Sequence, residues 1–175
     1  VRVGRSLASV RGDNQGHAFE HLDANVDLIL RQLESDQIAA LEKFGEHLGG
    51  GVMFIQISLS KMWLFSMYEI LRETCDFPSC LGAGKSVYCI RKDCLRCRVR
   101  NLRDELNPVR TALAKLQPEK AWKASPSKRN YHPSLLLDES SGSFAWKAHS
   151  DRRGSCATVS RLEFSNKVLE VLGPE

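Results

Sequence analysis

The run Val52–Glu73, VMFIQISLSKMWLFSMYEILRE, decides how the rest of the chain is read. It is apolar on nearly every helical face and carries the cluster Trp63, Tyr68, Glu69 and Arg72. A helix hydrophobic all round is normally buried, with other elements packed on it from several sides. The run is therefore expected to be the central helix of the fold. Its length is about the ~20 residues a bilayer span needs. Lys61 at its middle argues against that, since a lysine at bilayer centre costs roughly 2.5–3.5 kcal/mol on insertion scales, and Gln56, Ser58, Ser60, Ser66 and Glu69 add to the polar load.

Upstream, residues 1–16 are rich in Arg, Gly and Ser without periodicity and read as a flexible lead-in. From His17, Phe19, Leu22, Val26, Ile29 or Leu30, and Leu33 recur at helical steps and predict a first amphipathic helix. Ser35 or Asp36 is expected to cap a second, striped by Ile38, Leu41, Phe44 or Gly45, and Leu48, and ended by Gly49, Gly50 and Gly51.

Downstream, 75–85 has loop composition. Then Tyr88, Lys92, Leu95, Val99, Leu102, Leu106, Val109, Leu113 and Leu116 alternate steps of four and three. This seven-residue pattern predicts a long helix that packs on the central one as a hairpin, kinked at Pro108 because its stripe stays in phase across the proline. Residues 118–133 read as a loop. Ser134–Leu137 and Ser143–His149 then change to a period of two around Asp138–Gly142, a β-hairpin, with Cys156–Val159 as a third short strand. Ser160 and Glu163 form a capping box that opens a terminal helix over Leu162, Phe164 or Val168, Leu169 and Leu172. The expected fold is α+β: a mostly helical body with a small antiparallel hairpin and a terminal helix, as one globular domain over 17–175.

Charge is unevenly spread. Net charge is only +4, yet residues 85–129 hold 13 Lys and Arg against 4 Asp and Glu, whereas residues 1–84 hold 7 against 11. Lys85, Arg91, Lys92, Arg96, Arg98, Arg100 and Arg103 concentrate the cations, a pattern suited to nucleic-acid phosphates. The blander expectation pairs them with Glu20, Asp23, Asp27, Glu34, Glu42 and Glu46 of the acidic N-terminal helices.

Six cysteines are present. Arg2, Arg5 and Arg11 precede no apolar run of the signal-peptide kind, so the expected setting is the reducing cytoplasm. Val1 in place of Met fits processing, a chain trimmed at its start, or a non-standard start codon of the bacterial kind. Cys75, Cys80, Cys94 and Cys97 offer four thiolates to zinc, but Cys94 and Cys97 fall on an expected helix rather than a tight turn, so zinc is the minor expectation and no cofactor the main one.

Two motifs resemble catalytic ones. His17, Glu20 and His21 spell H-x-x-E-H, which is similar to the zinc motif of inverzincin peptidases. No downstream glutamate motif supplies a third ligand, and the pair reads as solvent-face histidines. SCLGAGKS at 79–86 resembles a phosphate loop with Ser79 in place of its first glycine, and LLLDE at 135–139 resembles the strand that holds a magnesium-binding Asp. Nucleotide binding would use Lys85, Ser86 and Asp138. The loop, however, lacks a buried strand before Ser79, and LLLDE reads better as a hairpin arm.

The i, i+3 pair Glu69 and Arg72 is expected to fix helix docking, through each other or through Arg98, Arg103 and Asp104. The functional expectation is a non-catalytic interaction module with a protein partner or a second copy of itself. A nucleic-acid-associated protein is the alternative and a nucleotide-binding one the lesser alternative.

Overall fold

The structure, a computed structural model, describes residues 17–76, 94–115, 133–150 and 155–172. In chain order these form α1 (His17–Phe44), α2 (Gly50–Asp76), α3 (Leu95–Lys115), β1 (Ser134–Asp138), β2 (Ser143–Ser150), β3 (Ser155–Ser160) and α4 (Arg161–Leu172). The fold is α+β: helices dominate, and the strands make one antiparallel meander in the order β1-β2-β3.

The N-terminal region is one helix, where two were expected. Residues 17–44 contain neither Gly nor Pro, and Ser35 and Asp36 are exposed on the outer face, where Asp36 accepts a hydrogen bond from Gln32 one turn earlier at 2.8 Å. With its carboxylate so placed, Asp36 does not cap a new helix. The end comes at Gly45, whose φ of 68° is the left-handed geometry of a helix C-terminus and whose N–H donates to the Leu41 carbonyl at 2.9 Å. The glycine triplet instead opens α2: the Gly49 carbonyl accepts from the N–H groups of Val52 (2.8 Å) and Met53 (3.3 Å). Buried Gln37 bridges the connection, accepting from Leu48 N–H at 3.1 Å and donating to His47 Nδ1 at 2.8 Å.

α2 spans the expected run, but its burial is one-sided. Gln56, Ser60, Trp63, Met67, Ile70, Leu71 and Thr74 share the inward face and are buried, while Phe54, Ile55 and Met62 on the opposite face are 72%, 56% and 65% exposed. The described neighbours of α2, α1 and α3, leave that outer face uncovered over its first half.

α3 carries the apolar stripe at the expected positions. Val99, Leu102, Leu106, Val109 and Leu113 are all buried, joined by Ala112, and Leu95 packs on the cluster. The helix runs on through Pro108. It meets α2 on one side and β2, β3 and α4 on the other, so α3 is the element that ties the helical body to the sheet. Tyr88, Lys92 and Leu116 lie outside the described residues, as does most of the 118–133 loop.

The hairpin pairs without a bulge from Ser134↔Lys147 to Asp138↔Ser143, and β3 continues from Ala145↔Ser160 to Ser150↔Ser155. β2 is the central strand, and Phe144, Ala145, Trp146 and Ala148 are buried. Asp138 builds the turn: its carboxylate accepts from Ser140 N–H (3.1 Å), Ser140 Oγ (2.7 Å) and Ser141 Oγ (2.5 Å). Those bonds to the charged form, Ser141 foremost and then Ser140, hold its pKa below the usual carboxylate value. The turn closes on Gly142 at φ 64°, whose carbonyl accepts from buried Gln56 of α2 at 2.9 Å. A Cβ at Gly142 would fall on the Glu34 carbonyl of α1, so the turn tip is seated against both α1 and α2. The capping-box contact between Glu163 N–H and Ser160 Oγ is present at 3.5 Å, and Ser143 Oγ accepts from Leu162 N–H at 3.1 Å.

Candidate functional site

The residues singled out on α2 divide between core and docking seam. Trp63 is 2% exposed and packs edge-on against Phe164 of α4, with ring centroids 6.4 Å apart at 78°. Glu69 bridges Arg72 of its own helix at 2.8 Å and Arg110 of α3 at 2.9 Å. The Arg110 guanidinium also lies 4.8 Å from the centre of the Tyr68 ring. Glu69 and Tyr68 thus grip one arginine across the α2–α3 seam. The pairing of Glu69 with Arg72 is one of the two expected alternatives; across the seam the partner is Arg110, where the other alternative was Arg98, Arg103 and Asp104, and Arg103 meets its neighbour Asp104 at 2.6 Å. Arg110 lies beyond the densest cation run, so charge density in the sequence does not point to it, although it falls two turns after Arg103 on the same flank.

The densest polar site was not foreseen. Arg161, at the first position of α4, is fully buried. Its guanidinium donates through Nε to Glu34 Oε1 at 2.9 Å, through NH2 to Glu34 Oε2, and through NH1 to Asp27, and it lies 5.5 Å from the Trp63 ring centre. Around it, Arg31 donates to Asp27 (2.8 Å), to Ser165 Oγ (2.7 Å) and to Asn166 Oδ1 (2.9 Å), and Ser165 Oγ donates to Asp27 at 2.6 Å. Two carboxylates and two guanidinium groups so close one another's charge. Chemically this is a clamp between α1 and α4. A signal for it existed: a cation in the first turn of a helix opposes the helix dipole and requires compensating anions, and Asp27, Leu30, Arg31, Glu34 and Gln37 share one face of α1 at i, i+3, i+4, i+7 and i+10. Asp27 and Glu34 therefore serve Arg161, where they had been expected to serve the basic helix.

Next to this clamp, Gln56 Oε1, Ser60 Oγ and Trp63 Nε1 are buried without a hydrogen-bonding group among the described residues, one turn apart along the inward face of α2.

Of the seven cations offered to nucleic acid, Lys85, Arg91 and Lys92 lie outside the described residues. Arg96, Arg100 and Arg103 recur at i, i+4 and i+7 and so share a flank of α3, with Arg96 and Arg103 half-buried and Arg100 exposed; exposed Arg98 points elsewhere. Cys94 and Cys97 sit half-buried at the start of α3. Cys80 and the side chain of Cys75 lie outside the described residues, as do the side chains of His17, Glu20 and His21. Among the described residues, no three His, Cys, Asp or Glu side chains gather as a metal site, and no helix is long and apolar enough to cross a membrane. Asp138, the described member of the nucleotide-binding set, is bound into its own turn; Lys85 and Ser86 are outside the described residues.

Among the described residues, large apolar side chains face outward on α1 (Leu28, Ile29 and Phe44) and on two further surfaces. One is the Phe54, Ile55 and Met62 face of α2. The other is β1, an edge strand on which Leu135 and Leu136 are 37% and 47% exposed.

No protein-family profile, curated protein or solved structure gives a significant match to the chain.

Proposed function

We propose that the protein is a non-catalytic cytoplasmic interaction module that docks a partner protein on the outward face of α2. The observation that carries this reading is the exposure of Phe54, Ile55 and Met62 on one side of a long, ordered helix. At ~100 Å² each, as large side chains exposed to this degree leave, they present on the order of 300 Å² of apolar surface around exposed Ser58, within the range of the largest patch on a monomer, which is often a functional one. The ridge from Phe54 to Met62 is about 12 Å long at 1.5 Å per residue, which suits two turns of an amphipathic partner helix. The face is nearly uncharged. Lys61 beside it turns its ammonium to within 6.0 Å of the Phe65 ring centre. An apolar contact with adaptable Met62 and Phe54 as anchors is the recognition this chemistry provides.

The test replaces Phe54 with photoreactive p-benzoyl-phenylalanine in the full chain expressed in cells, with the same replacement at exposed Glu170 of α4 as control. The reading expects an adduct with a distinct protein at position 54, identified by mass and lost in a chain carrying Met62→Asp. No adduct beyond the Glu170 background removes it.

The arginine flank of α3 supports a second reading, a nucleic-acid-associated protein contacting phosphates through Arg96, Arg100 and Arg103. It expects affinity for a labelled oligonucleotide that falls steeply with salt and weakens in Arg100→Glu. Absence of binding at low salt, or binding indifferent to salt, counts against it.

A further inference from the structure

β1 has the chemistry of a strand built to be paired on both sides, yet among the described residues it is paired on one. Its register with β2 is complete from Ser134 to Asp138, so the hydrogen-bonding groups on its other side are left for a further neighbour. Unsatisfied edges are usually blunted by a lysine, an internal proline, a bulge or a covering helix. Among the described residues β1 carries one charge, Asp138 at its end, and none of these devices: its sequence is Ser-Leu-Leu-Leu-Asp, its register is regular, and α3 and α4 pack on β2 and β3 instead. Pro133 stands just before the strand and ends it without interrupting it. The leucines are exposed on both faces, Leu135 on one and Leu136 on the other.

We propose that β1 is a homodimerisation strand, pairing antiparallel with β1 of a second copy about a two-fold axis at Leu136, so that two three-stranded sheets become one of six strands. Charge and register select this occupant and orientation. Antiparallel pairing centred on Leu136 sets Leu136 against its own copy, Leu135 against Leu137, and Ser134 against Asp138, so each leucine meets a leucine and each carboxylate meets a hydroxyl. Parallel in-register pairing would set Asp138 beside Asp138, a like-charge contact that disfavours it. Self-complementarity across a two-fold is what an isologous interface requires. This surface is independent of the α2 face and does not rest on its role.

The test is sedimentation of the full chain over a dilution series, together with mild oxidation of Leu136→Cys and Ser134→Cys variants and mapping of the linked peptides. A two-fold at Leu136 brings the Cα atoms of position 136 to about 4.5–5.5 Å across the axis, within disulfide reach, and holds position 134 some 14 Å from its own copy. The expected result is a concentration-dependent dimer, a 136–136 link and no 134–134 link. Leu136→Lys, with unchanged circular dichroism, is expected to sediment as monomer at every concentration where the parent is dimer. Because the link is read on the cysteine variants, the result does not depend on the lysine variant folding. A monomeric parent with no 136–136 link overturns the proposal, showing that the edge is covered by the chain's own residues or takes another peptide. So does a dimer that survives Leu136→Lys but dissociates in Phe54→Asp, which would move self-association to α2.

Discussion

Arg161→Met tests whether the clamp between α1 and α4 holds the fold. Methionine keeps most of the volume beside Trp63 and removes the charge, so the variant isolates the electrostatic consequence from a cavity. Glu34 would then remain buried with both carboxylate oxygens stripped of their guanidinium donors, and Asp27 would keep Arg31 and Ser165. Removing one partner of a buried ion pair costs about 3–5 kcal/mol, because the survivor is left uncompensated. A further ~0.5–2 kcal/mol is at stake in the cation over the Trp63 face. Against a total stability of roughly 5–15 kcal/mol this is a large share. With a urea slope on the order of 2 kcal/mol/M, the two losses together should lower the midpoint by roughly 2–3.5 M. Urea unfolding followed by tryptophan fluorescence is the assay, run on wild type, Arg161→Met, Glu34→Leu and the double variant. If the penalty is the orphaned carboxylate, the double variant recovers most of it and the cycle shows strong coupling. A single variant within about 0.5 kcal/mol of wild type, the scale of an ordinary surface substitution, or purely additive single variants, would refute the clamp.

Three other perturbations follow from the packing. Trp63→Ala should cost roughly 3–5 kcal/mol as the loss of a buried aromatic, and an unchanged urea midpoint would show that Trp63 is not in the core. Gly45 and Gly142 share a left-handed φ, but a Cβ meets open space at Gly45 and the Glu34 backbone at Gly142; Gly45→Ala should cost about 1–2 kcal/mol and Gly142→Ala distinctly more, and equal losses in thermal melts would contradict the seating of the turn. Asp138 has a folded pKa below its unfolded value, so its contribution is present above the unfolded pKa and is lost as pH falls through the folded one. The stability gap between wild type and Asp138→Asn should accordingly be full near neutrality and close on acidification; a gap constant with pH would mean that the Ser140 and Ser141 bonds do not depend on the charge.

What the sequence revealed and what it concealed separates by range. The α3 stripe was legible because a run of seven-residue spacing reports one buried face whatever it packs on, and Val99 through Leu113 needed no knowledge of the partner. The hairpin was legible because alternation over Ser143–His149 and the Asp-Ser-Gly turn chemistry are local. Ser35 and Asp36 misled because residue type signals an N-cap only where the preceding residues leave helical geometry, and nothing between His17 and Phe44 makes them do so. The Gly49–Gly51 triplet misled for a related reason: glycine ends a helix where a positive φ is required, and that requirement fell on Gly45. The one-sided burial of α2 was hidden because composition counts apolar residues without counting the neighbours available to cover them.

The Arg161 clamp was the least legible feature, and the reason bears on how the fold is held. α3 joins its neighbours mainly through apolar side chains, whereas among the described residues α1 contributes Leu30 to the buried apolar cluster, with Val26 partly packed on it, and buries Glu34 and Gln37 besides. Apolar contact tolerates sliding at little cost, since its energy follows area. Bidentate bonds from one guanidinium to a carboxylate do not, because their geometry is directional. α1 is therefore positioned by direction more than by area: Arg161 grips it at Asp27 and Glu34, the Gly142 tip abuts it at Glu34, and Gln37 ties it to the following connection. The Arg161 and Gly142 contacts join residues more than a hundred positions apart, so no window of periodicity contains them. The same division explains the outer face of α2. With α1 held by polar contacts at one flank and α3 packed on the other, the inward side of α2 is filled, and no described element covers Phe54, Ile55 and Met62.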